Sequence, residues 1–177
     1  MNFKSLLTLV LLFFTLSYFA QNSQKHSAQK PSNPNKMLLE NNGQWPEGVL
    51  FRSNMNGGKV WIQQHKLIYH LQDYSAMHKA HAMKTPDFTS DEIKETLVHL
   101  NFVGSNKVYS LEKKGKTKEY YNFFKGKDPS KWASDVHGYQ EVVLQDFYTN
   151  IDLRYLGGGD EMKYEFIVSP KADPAII

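Results

Sequence analysis

Short segments in which every second residue is apolar recur along the sequence and limit it to a β-rich fold. Residues 98–103, 151–155 and 162–168 alternate in this way, and a strand places successive side chains on opposite faces of its sheet. Residues 59–63 and 66–71 flank a short polar stretch, as the two strands of a hairpin do. The pattern predicts antiparallel strands with one buried face and one wet face.

Turn and helix signals refine this fold class. Three glycines at residues 157–159 separate two alternating segments, and their freedom to adopt positive φ predicts a tight hairpin reversal. Asp128 followed by Pro129 predicts one or two helical turns. Residues 89–92 have capping-box spacing, within a stretch from 73 to 94 that we interpret as a long excursion between strands. We expect a mainly β, antiparallel β-sandwich-like domain with one or two short helical turns.

The first 20 residues have the pattern of a secretory signal peptide. Lys4 supplies an early positive charge, and a mostly apolar run over residues 6–14 continues with small interruptions to Ala20. This run is shorter than the roughly 20 apolar residues that a transmembrane helix needs. We therefore predict a secreted or cell-surface protein that loses residues 1–20 and does not span the membrane after cleavage.

Two further regions follow the predicted leader. Residues 21–36 are rich in Gln, Asn, Ser, Lys and Pro and contain no aromatic or β-branched residue. Such a segment buries too little apolar surface to offset the entropy of ordering it, so we predict a disordered spacer. Residues 37–177 then carry frequent aromatic residues, and their number suits one domain with a single core.

Composition excludes several kinds of site. The chain has no cysteine, which rules out disulfides, thiolate zinc sites and a cysteine nucleophile, and favours a bacterial exported protein. The formal net charge is +3, and +2 without Lys4. The densest basic run, residues 113–118, is offset by Glu112 and Glu119, so we expect a solvated turn and no nucleic-acid partner.

Histidines and carboxylates are the candidates for chemistry. His78 and His81 could share one helical face, but a metal needs three or four ligands, and Asp73 or Asp87 would have to complete the set. A polar loop that happens to carry two histidines explains them as well, so we expect no metal and no cofactor. A His-based metal-binding module remains an alternative.

A secreted hydrolase that acts on polysaccharide is the other alternative. It would need two facing carboxylates, for which Asp152 and Glu165 are candidates. Both alternate with apolar residues, which predicts that they point into solvent. The sequence has neither a Gly-x-Ser-x-Gly elbow nor a phosphate-binding Gly-rich loop. We therefore favour a non-enzymatic role.

Three tryptophans are candidates for a binding surface. Trp45, Trp61 and Trp132 could stack on sugar rings. Large aromatic residues are more often core, and we expect Trp61 on the inward face of its strand, with Lys59 and Gln63 on the same face. Trp132, next to the predicted helical turn, is also expected to be buried.

Several motifs, in a fixed order, resemble one family. They are ENNGQWP at 40–46, VLFR at 49–52, GGKV at 57–60, HLNFVG at 99–104, YNFFKGKDPSKW at 121–132, YTNIDLRY at 148–155 and KYEFIVSPKADP at 163–174. Together they resemble an uncharacterised N-terminal domain of large exported proteins of gliding bacteria and their relatives. The resemblance covers most of residues 39–177.

This resemblance implies a place in a larger protein. In that family the domain precedes β-propeller-like repeats, PKD-like or immunoglobulin-like modules and a gliding-motility-associated sorting domain for type IX secretion, and no enzymatic role is attached to it. Its strands continue past the Ala-Asp-Pro segment, so we expect the domain to continue beyond Ile177. The expected function is a non-catalytic structural or adhesive N-terminal module. Its expected partners are the downstream domains and an extracellular glycan or protein.

Overall fold

Alternating apolar residues fold into antiparallel strands throughout the part of the chain that the computed structural model describes. That part comprises residues 36–83, 93–107, 110–158 and 161–177. Its eleven strands are β1 Leu38–Glu40, β2 Val49–Met55, β3 Gly58–Gln63, β4 Lys66–Asp73, β5 Lys94–Asn101, β6 Leu111–Lys114, β7 Tyr120–Phe123, β8 Ala133–Tyr139, β9 Glu141–Tyr148, β10 Ile151–Leu156 and β11 Lys163–Val168.

Helical structure is short. The helix α1, Ser75–Met83, begins just after β4, where Asp73 Oδ1 accepts a hydrogen bond from Ser75 N at 2.9 Å. It lies in the stretch for which only a long excursion was expected, while the capping-box residues 89–92 fall outside the described residues. Within the described ranges, no helix is long and apolar enough to cross a membrane.

Two 3-10 turns share one capping arrangement. They are Pro129–Lys131 and Pro174–Ile176, each with proline at its first position. Asp128 Oδ1 accepts from Ser130 N at 3.0 Å, and Asp173 Oδ1 accepts from Ala175 N at 2.9 Å. These bonds satisfy N–H groups that have no partner inside a turn. The predicted turn after Asp128 is confirmed, and it is short because Ala133 already begins β8.

The strands form two sheets. One has seven strands in the order β5-β4-β3-β2-β1-β8-β7, and the other has four in the order β11-β10-β9-β6. The chain passes from the first sheet to the second at Gln140, between β8 and β9. Gln140 N donates to Lys114 O at 3.1 Å, and its carbonyl accepts from Gly157 N at 2.8 Å. The crossing residue is therefore bonded to the ends of two strands of the second sheet.

The hydrophobic core lies between these sheets. Alternate residues of the seven-stranded sheet face it, and those fully or almost fully buried are Leu38, Phe51, Val60, Ile62, Leu67 and Tyr139. The four-stranded sheet contributes Val142, Leu144, Phe147, Tyr148, Ile151, Leu153 and Tyr155. Two apolar faces packed together define a β-sandwich-like domain. The expected mainly β antiparallel fold is confirmed.

The predicted hairpin between β10 and β11 is also confirmed. Leu153 pairs with Phe166, and the pairing runs along both strands without interruption. Gly158 has φ of +79°, as expected for the turn, whereas Gly157 serves a different need. A Cβ on Gly157 would lie 3.0 Å from Leu38 N, so this glycine permits the turn to approach β1 closely. Gly159 falls outside the described residues.

The predicted inward position of Trp61 is wrong. Val60 and Ile62 face the second sheet and are 2 % and 0 % exposed, so the intervening Trp61 lies on the opposite face and is only partly buried. Lys59 and Gln63 share its face, as expected. The sheet therefore has an inner face in the core and an outer face that carries Trp61.

A polar contact joins the edge strand β6 of the second sheet to β1 of the first. Lys113 Nζ of β6 lies 2.7 Å from Glu40 Oε1 of β1, and Tyr139 Oη donates to Glu40 Oε2 at 3.2 Å. The hydrogen bond to Glu40 raises the pKa of Lys113, and burial raises the pKa of Tyr139. The ion pair with Glu40 thus neutralises Lys113, the first residue of the basic run at 113–118.

The two faces predict different mutational costs. We expect Phe51→Ala, at a position only 2 % exposed, to cost about 3–5 kcal/mol because it leaves a cavity between the sheets. Trp61→Ala should cost clearly less, because the indole is partly in solvent. Urea unfolding of both variants measures this difference. Equal losses would contradict the assignment of Trp61 to the outer face.

The contact between Lys113 and Glu40 predicts a loss of stability in alkali. The folded-state pKa of Lys113 is raised above its ordinary value of 10.5, so the contribution is complete below that pH and is lost as pH rises through the folded value. Because both side chains are partly exposed, we expect a loss of at most about 1 kcal/mol. Tyr139 also has a raised pKa of the same sign, which Lys113 itself lowers, so the comparison is made in a Tyr139→Phe background. There, Lys113→Met should remove this part of the alkaline loss. Melting curves of Tyr139→Phe with and without Lys113→Met between about pH 9 and pH 12 measure the difference; identical slopes would refute it.

Candidate outer-face binding groove

A structured loop brings Trp45 onto the outer face of the seven-stranded sheet. The Asn41 side chain donates from Nδ2 to Val49 O at 2.8 Å and accepts at Oδ1 from Gly43 N at 3.1 Å and Trp45 N at 3.2 Å. Gly43 has φ of +103°, which favours glycine. The ENNGQWP motif thus forms a loop closed by one asparagine, and this loop fixes the position of the indole.

Three aromatic rings surround one arginine on this face. Arg52, Trp45, Trp61 and Phe123, which we call the Arg52 cluster, come from β2, the loop, β3 and β7. The Trp45 ring centre lies 5.4 Å from that of Trp61 and 5.5 Å from that of Phe123, both in edge-to-face geometry. Arg52 Cζ lies 4.8 Å from the Trp45 centroid, 5.8 Å from the Trp61 centroid and 6.0 Å from the Phe123 centroid.

The guanidinium stabilises this cluster electrostatically. Burial lowers the pKa of Arg52 from its ordinary value of 12.5, yet an arginine remains a cation at any physiological pH. A cation over the negative faces of aromatic rings is attracted to them, by up to about 2 kcal/mol when it is partly desolvated. Arg52 and Trp61 are paired residues of neighbouring strands, so the sheet itself holds them together.

A groove of about 280 Å³ lies beside the Arg52 cluster. We call it the outer-face groove. Its lining residues are Pro46, Val49, Trp61, Gln63, Ile68, His70, Glu95 and Leu97. Trp61 pairs with Ile68 across β3 and β4, so indole and aliphatic surfaces lie side by side on the sheet. Leu97 is 57 % exposed, which leaves part of this apolar surface in contact with water.

A bulge in β2 contributes one of these side chains. Val49 pairs with Gln63, whereas Phe51 pairs with Ile62, so the register shifts by one residue between them. Simple alternation would place Val49 on the same face as the inward Phe51. Because directly paired residues share a face, the bulge instead turns Val49 outward beside Gln63.

The edge of the groove is polar. His70 Nε2 lies 3.1 Å from Glu95 Oε2, and Gln72 Nε2 donates to Glu95 Oε1 at 2.6 Å. The hydrogen bond from Gln72 and then the close approach of His70 Nε2 lower the pKa of Glu95 below its ordinary value of 4.5. Glu95 is therefore an ionised carboxylate at neutral pH, held by two neighbours at the end of an apolar surface.

The tryptophan candidates are only partly brought together. Trp45 and Trp61 share the Arg52 cluster, while Trp132 packs separately against Phe124 with ring centres 5.7 Å apart. Trp132 Nε1 donates to Gly126 O at 3.3 Å, and 42 % of the residue is exposed. The expectation that Trp132 is buried is therefore wrong, and it lines no part of the groove.

The metal candidates form no recognisable site in the described part of the chain. His78 is exposed on α1, and the side chain of His81 and all of Asp87 lie outside the described residues. Asp73 is engaged with Ser75 N at the start of that helix. Among the residues that the structure describes, no three His, Asp or Glu side chains are grouped so that they could hold an ion.

The two carboxylates considered for a hydrolase have structural partners. Asp152 Oδ1 accepts from Asp146 N at 2.8 Å, close to the register irregularity between β9 and β10. Glu165 forms an ion pair with Arg154, its directly paired residue on the neighbouring strand. Both side chains alternate with inward-facing residues of their strands, as the sequence pattern predicts.

A second depression, of about 490 Å³, lies near the end of the described chain. Its lining residues are Asn101, Phe102, Val103, Tyr148, Tyr164, Phe166, Ile176 and Ile177. Phe102 also contacts Phe147, with 5.3 Å between ring centres, and Tyr148 packs against Phe147. These aromatic residues are continuous with the core, so this depression is a margin of the core and is distinct from the outer-face groove.

Residues 38–177 match the family model of DUF7948, a domain of unknown function. The chain belongs to the DUF7948 family. The motifs noted in the sequence all lie within this DUF7948 match, and one of them, ENNGQWP, forms the Asn41 loop beside the groove. No curated protein and no solved structure matches the chain.

The groove also contains residues that sequence patterns did not single out. Val49, Ile68, Glu95 and Leu97 come from three strands, and only strand pairing brings them together. Nothing in the sequence assigns a partner to His70. The alternation within β4 and β5 gives their faces but not their neighbours, so no signal in the sequence connected these residues.

Proposed function

We propose that this DUF7948 domain is a non-catalytic adhesive module of an exported, multidomain bacterial protein. The observation that carries this proposal is the outer-face groove, an apolar surface open to water with three polar side chains at its edge. Exposed apolar surface of this kind commonly marks a binding site. The Arg52 cluster and the Asn41 loop hold the groove in shape before any ligand arrives.

Preorganisation supports a role in binding. The indole of Trp61 is packed against Trp45 and lies on a central strand of a seven-stranded sheet, where its backbone is hydrogen-bonded on both sides. Little conformational entropy remains to be lost when such a side chain contacts a ligand. A rigid aromatic surface of this type therefore favours affinity.

The place of the domain in its protein is proposed on other grounds. The signal-peptide pattern of residues 1–20 supports export, and the polar composition of residues 21–36 supports a disordered spacer at the start of the mature chain. The resemblance in motifs supports an N-terminal position ahead of repeats and a type IX sorting domain. In such an architecture the domain would act at the cell surface.

Export can be tested on the natively expressed protein. We expect a mature N-terminus close to residue 21 and recovery outside the cytoplasm, because the export machinery recognises the charge and apolar core of the leader. N-terminal sequencing of the purified protein gives the answer. An intact Met1 on protein from the cytoplasmic fraction would contradict this part of the proposal.

Adhesion without turnover is tested on the mature chain. Fluorescently labelled protein should bind saturably to washed envelope material of the bacterium that produces it, and prolonged incubation should release no soluble fragments or new reducing ends. Binding isotherms and a reducing-end assay measure both. Absence of saturable binding would contradict an adhesive role, and steady release of fragments would instead indicate the polysaccharide hydrolase.

A further inference from the structure

We infer that the outer-face groove binds one pyranose ring of a neutral extracellular glycan, stacked on Trp61. This inference rests on the proposed adhesive function and adds the chemical class of the ligand. It depends on the size of the groove, on its aromatic and aliphatic surface, and on the chemistry of the polar groups at its edge.

Size points to a single ring. The groove of about 280 Å³ is slightly smaller than the roughly 300–1,000 Å³ of pockets that enclose drug-sized ligands. It is open to solvent on the outer face of the sheet, so a longer polymer can extend beyond it. The geometry therefore suits one bound sugar within a chain, rather than a buried small molecule.

The apolar wall suits the face of a sugar ring. One face of a pyranose presents C–H groups with partial positive charge, and these are attracted to the electron-rich face of an indole. Trp61 supplies the indole, and its paired neighbour Ile68 and the exposed Leu97 extend the apolar surface on one side. Val49, turned outward by the bulge, lines the groove on the other side, although only 8 % of it is exposed.

The polar groups suit hydroxyls. The Glu95 carboxylate accepts one hydrogen bond from Gln72 and lies 3.1 Å from His70 Nε2, and each of its oxygens has a second lone pair for a hydroxyl donor. The Gln63 amide, on the same groove, offers both donors and an acceptor. Hydroxyl groups around the edge of a sugar match this mixture of acceptors and donors.

Charge selects a neutral sugar. Glu95 is ionised at neutral pH and would repel a carboxylate or sulfate placed against it. The Lys59 ammonium lies 5.7 Å from the Trp61 centroid and interacts with Glu95, so these two opposite charges offset each other beside the groove. A purely apolar partner surface would fill the wall of the groove but leave Glu95 and Gln63 without new hydrogen bonds, and burying them in this state costs free energy. A neutral glycan satisfies both parts of the site.

The test uses a glycan microarray and isothermal titration calorimetry, whose signal does not depend on the indole of Trp61. The mature chain is applied to an array of neutral and anionic glycans, and the best soluble oligosaccharide is then titrated against wild type and variants. We expect binding to neutral glycans. Trp61→Ala should lower the affinity about tenfold or more, because the stacking surface is lost. Glu95→Gln should lower it by a smaller factor, because one acceptor remains.

Trp132→Ala is the matched control, since it removes an equally large and partly exposed indole outside the groove. It should leave the affinity unchanged, and cooperative melting should show that every variant is folded. An affinity that falls equally in Trp132→Ala, or one that survives Trp61→Ala in folded protein, would overturn the assignment of the site.

Failure of the ligand class is distinguishable from failure of the proposed function. If Trp61→Ala abolishes binding to envelope material but the array shows no binding and free oligosaccharides do not compete, the groove binds a protein partner and the glycan inference is wrong. If wild type does not bind envelope material at all, the adhesive function itself is wrong. A preference for anionic glycans would overturn the role given to Glu95.

Discussion

Packing of the two sheets against each other determines which side chains of the seven-stranded sheet lie on its outer face. Because side chains alternate along a strand, burying Phe51, Val60 and Ile62 against the second sheet leaves Arg52 and Trp61 on the outer face. A slip of one residue would exchange these two sets, so the register is strongly specified. The core therefore selects which side chains are available for binding.

Two irregular features, a bulge and a loop, shape the outer face of the seven-stranded sheet. The bulge before Phe51 re-aims Val49, and the loop closed by Asn41 carries Trp45 to the guanidinium of Arg52. Each device leaves the core unchanged and adds surface around Trp61. An arginine among three rings is an expensive arrangement to desolvate unless the rings compensate, and here they do so at 4.8–6.0 Å from its Cζ.

Alternation in the sequence predicted the strands around Trp61, but not the direction in which they face. In residues 59–63 the indole of Trp61 is on one face, and the branched side chains of Val60 and Ile62 are on the other. Which of these faces is buried depends on packing against β9 and β10, which are distant in the sequence. Helix α1 contains alanine and methionine, which favour helices, but no acidic residue in its first turn, so its signal was weak. Glu95 and Trp61 meet only through strand pairing, which no local pattern encodes.

The central claim is that the outer face of the seven-stranded sheet is the binding face. Amide and indole chemical shifts of isotope-labelled protein, followed by NMR as its tightest-binding envelope fragment is added, test this most directly. We predict the largest changes at the Trp61 indole N–H, at Gln63 and at Leu97. Changes confined to Tyr164, Phe166 and the other residues of the second depression would contradict it.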